Sequence, residues 1–177
     1  MDDISKEAGI SKKTIYNFIP NKADLIQKVV EIFIKKEQEE INNQKSKSSN
    51  ALDEMINITE HILQYLRKLH PSLIYDLRKY YKSSWNIVEE HHFDFIRNCI
   101  CDNLIRGKKE GVYRDEIDEE VISRLYMQSS RQMNDDSIFP ISEFPKVPLF
   151  EKFIEYHMYG ILNEQGLKKY KKNKNRS

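Results

Sequence analysis

Glycine and proline are scarce: five of each in 177 residues, and they fall between stretches of regular periodicity. No run alternates apolar and polar residues convincingly enough to be a strand, so a β-architecture is not expected. There are only two cysteines, Cys99 and Cys101. Two residues apart on a helix, they point to opposite sides, which argues against a disulfide or a shared metal and for buried or half-buried thiols. His91 and His92 are adjacent and meet the same objection, and no histidine pair has the spacing of a zinc-binding helix. No Ser/His/Asp grouping and no glycine-rich phosphate loop is found, so neither an enzyme nor a cofactor or metal site is expected. No apolar run approaches bilayer length and none follows Met1 as a leader, so the expected location is cytoplasmic, with no membrane partner. Net charge of one sign is also missing: the balance is +1, so any attraction to nucleic acid must come from a local patch.

What is present is helical periodicity. "LIQKVVEIFIKK" sets Leu25, Ile26, Val29, Val30 and Phe33 on one stripe, and "ALDEMINITEHILQYLRKL" does the same with Leu52, Met55, Ile56, Thr59, Ile62, Leu63 and Leu66. Pro71 is expected to open a short aromatic helix, "SLIYDLRKYY". A longer helix is expected from about Ser84 to Arg106, with two more at Asp118 to Met133 and Leu149 to Leu162. His61 and His157 sit at helical spacing among apolar neighbours and read as packing residues. The chain is therefore expected to be all-α. Three segments read as irregular: "NNQKSKSSN" (Asn42 to Asn50) as a helix–helix connection, "DDSIFPISEFPKVP" with its three prolines, and the basic tail "KKYKKNKNRS" as a solvated end.

The stretch "GISKKTIYNFIPNK", Gly9 to Lys22, carries three lysines and no acid. Gly9 suits the positive φ of a helix stop, Ser11 can cap a second helix, Pro20 ends it, and Asn21 with Asp24 caps a third. On the second helix Ile15, Phe18 and Ile19 share one side, able to bury against Ile4, Ala8 and Ile10. Lys12, Lys13, Tyr16 and Asn17 share the other. A helix with two cations, a phenol and an amide on one face suits a DNA major groove, and an ordinary amphipathic surface helix has the same pattern.

"DDISKEAGISKKTIYNFIPNKADLI" resembles the helix-turn-helix signature of the tetracycline-repressor (TetR) family of bacterial transcriptional regulators. The likeness covers residues 2 to 26: the Ala-Gly-Ile-Ser turn, Thr-Ile-Tyr in the second helix, and Pro-Asn-Lys before the third. Beyond it, only "GKKEGVYRDEID" weakly resembles a joint between two late helices of that family. The resemblance implies that Lys12 and Lys13 read base edges with help from Asn17, and that Thr14, Tyr16 and Lys22 hold phosphates, Ser11 capping the helix at the DNA. It also implies an incomplete head. Family members carry a further helix ahead of this segment, and "MDDI" resembles the interior of the cap that follows it. The expectation is an N-terminal truncation in which the first helix of the DNA-binding domain is absent, leaving Ile4, Ile10, Ile15, Ile19 and Phe33 to expose apolar surface at about 25 cal/mol per Å².

The remaining residues hold most of the aromatics. Tyr65, Tyr75, Tyr80, Tyr81, Trp85, Phe93 and Phe95 are candidates for lining an effector cavity, with plain core packing as the alternative for each. The resemblance places a symmetric dimer on the last two strong helices, through Val121, Leu125, Phe150, Phe153, Ile154, His157, Met158 and Ile161, a pattern that internal packing also explains. The expected division is a helix-turn-helix domain with its connecting helix at 1–45 and a ligand-binding and dimerisation domain at 46–177. The expected function is a ligand-responsive repressor that binds a pseudo-palindromic double-stranded operator as a homodimer and answers to an unknown small molecule. The alternative is a ligand-binding and dimerisation module that no longer engages DNA.

Overall fold

A computed structural model describes residues 1–70 and 72–174. Pro71 and the last three residues of the basic tail lie outside the described residues. Ten α-helices follow in order: α1 (Asp2–Glu7), α2 (Lys12–Phe18), α3 (Lys22–Lys47), α4 (Ala51–Leu66), α5 (Ser72–Tyr80), α6 (Lys82–His91), α7 (Arg97–Lys109), α8 (Glu119–Gln132), α9 (Lys146–Ile161) and α10 (Glu164–Lys174). A single π-helical turn, His92–Ile96, joins α6 to α7, so the expected long helix is two helices with a widened turn between them. Among the described residues there is one isolated bridge, Tyr113 with Leu162, and no strand. No described helix is long and apolar enough to cross a membrane.

Side-chain caps mark several of the starts. The side chains of Asn50 and Asp118 accept the amides of Asp53 and Val121, each at 2.9 Å, at the heads of α4 and α8. The core lies where α4, α7, α8 and α9 meet, around Leu52, Met55, Leu104, Tyr126, Ile154 and Met158. At one end of the bundle a buried polar network ties α4 to α7. Asn103 donates to the Ala51 carbonyl at 2.9 Å and accepts from the Tyr113 hydroxyl at 2.8 Å. Arg106 bridges buried Glu54 at 3.0 Å and Glu110 at 2.7 Å, and Glu110 in turn accepts the first amide of α4. Each of these groups has a partner, which is what keeps such a network from being a liability.

Two expected irregular segments are largely helical. α3 continues to Lys47, because Gln44 reaches back to Glu40 at 2.6 Å, Ile41 is buried, and Lys45 pairs with Asp102 on α7 at 3.0 Å; the connection shrinks to Ser48–Asn50. The basic tail forms α10 as far as Lys174, with Leu167 and Tyr170 packed on the core and Lys174 paired with Glu155 at 2.6 Å. α9 opens at Lys146, three residues ahead of the expected start, since Pro148 falls in a first turn that requires no amide donor.

His157 is buried between Tyr126 and Phe153, and its Nε2 has no partner among the described atoms. Burial pushes its pKa from 6.5 down to about 4. The folded state thus holds the neutral ring where the unfolded chain takes up a proton. Stability is lost as pH falls from about 6.5 and the loss levels off below about 4, with a ceiling of roughly 3 kcal/mol. His157→Phe is expected to abolish that part of the acid sensitivity. Urea melts of both proteins at pH 7 and pH 4.5 check it: the gap between the two conditions should narrow in the variant.

Candidate nucleic-acid interface

The first three helices are assembled by local chemistry. α1 ends at Gly9 with φ +64°, and the Ile10 amide returns to the Ser5 carbonyl at 3.1 Å, a left-handed stop that glycine allows at no steric cost. Ser11 caps α2 by accepting the Thr14 amide at 3.0 Å. Asn21 caps α3 by accepting the Asp24 amide at 3.0 Å, and its side-chain amide donates to the Asp24 carboxylate at the same distance. Of the α2 residues only Ile15 is buried. Ser11, Lys12, Lys13, Tyr16 and Asn17 are exposed on α2 and its cap, Thr14 is half-buried, and Lys22 is exposed at the start of α3. The seven candidate residues therefore lie together on α2 and the two helix starts beside it.

Four of them are already engaged. Lys12 is in ion-pair contact with Asp2, which lowers the Asp2 pKa and raises that of Lys12 through their shared hydrogen bond. The stretch is acid-free in sequence, but folding brings an acid to it. Thr14 Oγ1 is 2.9 Å from Ser11 Oγ, and the Lys22 ammonium lies over the Tyr81 ring, 5.9 Å from its centre. The apolar side differs from expectation. Phe18 is 80% exposed, and Ile4, Ala8 and Ile10 are exposed too, so they do not bury the α2 underside. Ile19 and Phe33 are half-buried, the latter stacked on Tyr65 at 4.8 Å. Val29 and Ile32 on α3 add to the open apolar side chains of this end.

Asp2 masks the cation that stands first on α2. Asp2→Asn is expected to strengthen binding to double-stranded DNA about fivefold at low salt, with the gain shrinking as salt screens exposed charge. Fluorescence anisotropy on a labelled duplex at two salt concentrations measures this.

No protein-family model matches the chain. It is 24% identical over 169 residues, 93% of this chain and 86% of the relative, to YvaF, an uncharacterized HTH-type transcriptional regulator of Bacillus subtilis (strain 168). A TetR-family transcriptional regulator from Agrobacterium tumefaciens superposes with a TM-score of 0.70 at 17% identity, covering 92% of this chain and 86% of that one. The chain has the TetR-family fold. A second structure with this fold, the fatty acid degradation regulator FadR from Bacillus halodurans, superposes with a TM-score of 0.66 at 16% identity over 89% of this chain and 82% of that one.

In this TetR-type fold the candidate cavity residues do not converge. Trp85 and Phe93 line a groove of about 690 Å³ between α6, the π turn and α8. Tyr75 lines a separate groove of about 690 Å³ between α5 and the segment after α8. Tyr65 stacks on Phe33, Phe95 stacks on His91 at 5.2 Å, Tyr81 faces Lys22, and Tyr80 is exposed. Helical spacing separates them: Phe93 and Phe95, two apart, face different ways. The first groove also has Val121, Leu125, Arg97 and Arg131 in its wall, with Arg131 paired to Glu89 at 2.9 Å. No local pattern announces those arginines, because their partners lie 42 residues away or on another helix.

The expected interface residues divide in two. Phe150, Ile154, His157, Met158 and Ile161 are buried within the single chain, where they pack its core, and Phe153 is half-buried. Val121 and Leu125 are 51% and 57% exposed, and Tyr156, absent from the expectation, is 81% exposed on the outer side of α9.

Proposed function

We propose that this chain is a DNA-binding transcriptional regulator that represses by occupying a pseudo-palindromic duplex as a homodimer and is released by a small-molecule effector. The observation that carries the reading is the exposed cationic face of α2, with Lys12 and Lys13 leading it, set on a capped helix–turn–helix whose two starts carry Ser11 and Lys22. That face supplies base-reading ammonium groups and phosphate-holding hydroxyls of the kind a groove-binding helix needs. Residues 1–45 serve as the DNA-contacting part and 46–177 as the effector and dimer part, with α3 running through the junction. Val121 and Leu125 on α8, with Tyr156 on α9, supply apolar surface for the dimer face, and because the first two also wall the groove, the groove borders that face; dimerisation brings two copies of α2 to successive turns of DNA. The groove at Trp85 and Phe93 receives an apolar or aromatic effector. The effector releases DNA only if it binds one spacing of the two heads better than the other.

The test is direct. A duplex taken from upstream of the chain's own gene is titrated at 50 mM and 200 mM salt, and affinity should fall by about two orders of magnitude or more between them. A second reading is a ligand-binding and dimerisation module that does not engage DNA. The open apolar side chains of the head, Phe18 above all, favour it, because a DNA head normally buries such a seam. Binding that is undetectable at both salts, with the groove still taking ligand, selects this second reading.

A further inference from the structure

The start of α3 is held from two directions. Lys22 is its first residue and follows the Asn21 cap. Its ammonium sits 5.9 Å above the ring centre of Tyr81, a residue distant in sequence that forms the joint between α5 and α6. That joint is fixed on both sides. The Tyr81 amide donates to the Leu77 carbonyl at 3.0 Å, and its carbonyl accepts the Trp85 amide at 2.9 Å. The ring therefore projects from a backbone that has little freedom to wander, while an exposed lysine has a great deal of rotamer freedom to lose when it binds.

We infer that Tyr81 is the positioning residue for Lys22: its ring holds the ammonium beside the first turn of α3, ready for a nucleic-acid phosphate. The inference rests on the DNA-binding reading of the head. A ring face attracts a cation without neutralising it. Tyr81 thus leaves the charge of Lys22 and its outward N–H donors available to a phosphate oxygen, unlike Asp2, which cancels the charge of Lys12. The contact also links the head to the body, since Trp85, bonded through its amide to Tyr81, lines the groove.

The test uses the full chain, a random-sequence duplex at low salt, and a double-mutant cycle. Phosphate contacts do not depend on sequence, so no operator has to be known. Tyr81→Phe keeps the ring and is expected to bind as the parent does. Tyr81→Leu is expected to weaken binding about three- to tenfold with an unchanged salt slope. Lys22→Ala is expected to weaken binding and lower the salt slope by about one per protomer. Adding Tyr81→Leu to Lys22→Ala should then do nothing more. In the free protein, the Lys22 ε-methylene resonances should be ring-current shifted in the parent and in Tyr81→Phe, and unshifted in Tyr81→Leu. If Tyr81→Leu binds like the parent, or weakens binding equally with Lys22 already removed, the positioning role is overturned and the DNA reading stands. If the parent shows no salt-dependent binding while Lys12→Ala also changes nothing, the DNA reading falls and takes this inference with it.

Discussion

Replacing Lys12 and Lys13 together by alanine is expected to weaken binding to the cognate duplex by roughly a thousandfold and to leave the melting temperature nearly unchanged. Each contact from a lysine to a base edge discriminates by about 1–3 kcal/mol. Two lysines per protomer on a two-fold site make four contacts, and at the lower bound they sum to about 4 kcal/mol, or about three orders of magnitude. Binding to random sequence should fall much less, since phosphate-holding groups such as Tyr16 and Lys22 remain, so the ratio of specific to non-specific affinity collapses. Folding is indifferent because both side chains are exposed, and the ion pair of Lys12 with Asp2 faces solvent, where it contributes little. Anisotropy on cognate and scrambled duplexes, with a melt followed by circular dichroism, separates the two outcomes. Equal weakening on both duplexes would mean that these lysines hold phosphates and do not read bases.

The head was legible in sequence because its determinants are local. Gly9, Ser11 and Asn21 act through backbone atoms within five residues of themselves, and the structure shows each at a helix stop or start. Helix class was legible for the same reason: the apolar stripes of α3, α4 and α9 repeat at helical spacing. Helix number was not, since the expected long helix is α6 and α7 with a π turn between them and the basic tail supplies α10. What the stripes do not reveal is which of two apolar faces turns inward. On α9 the periodicity marks Phe150, Ile154, Met158 and Ile161 as apolar, and the structure uses all four internally, while Tyr156 is left outside. The groove was illegible for a related reason. Its walls join α6 to α8, and the ion pair of Arg131 with Glu89 depends on how the two helices cross. The contact of Asp2 with Lys12 belongs to the same class, since a helix–turn–helix brings together side chains that the linear stretch keeps apart.

Gly107→Ala is expected to destabilise the fold by roughly 2–4 kcal/mol, although helix propensity alone predicts the reverse. Gly107 lies inside α7, where alanine is favoured by up to about 1 kcal/mol. Against that, a Cβ at this position would overlap the Tyr113 ring, with Cδ2 and Cε2 nearest and Cγ at 2.7 Å. The ring has no room to withdraw. Tyr113 is fully buried, its hydroxyl donates to Asn103 at 2.8 Å, and its amide and that of Val112 both return to the Gly107 carbonyl, at 3.1 and 3.0 Å. Moving it costs about 1–3 kcal/mol of overpacking and, where the hydroxyl parts from Asn103, about 1–3 kcal/mol for a stranded buried polar group. The steric and polar effects outweigh propensity, and for a chain of this length the destabilisation corresponds to a melting point lowered by roughly 5–15 °C. Gly160 is the internal comparison: it lies on α9 with nothing within 4 Å of a new Cβ, so Gly160→Ala should be neutral or raise stability by up to about 1 kcal/mol. Urea melts of both variants at dilute protein decide the matter. If the two glycines respond alike, close packing against Tyr113 is not what excludes a side chain from position 107.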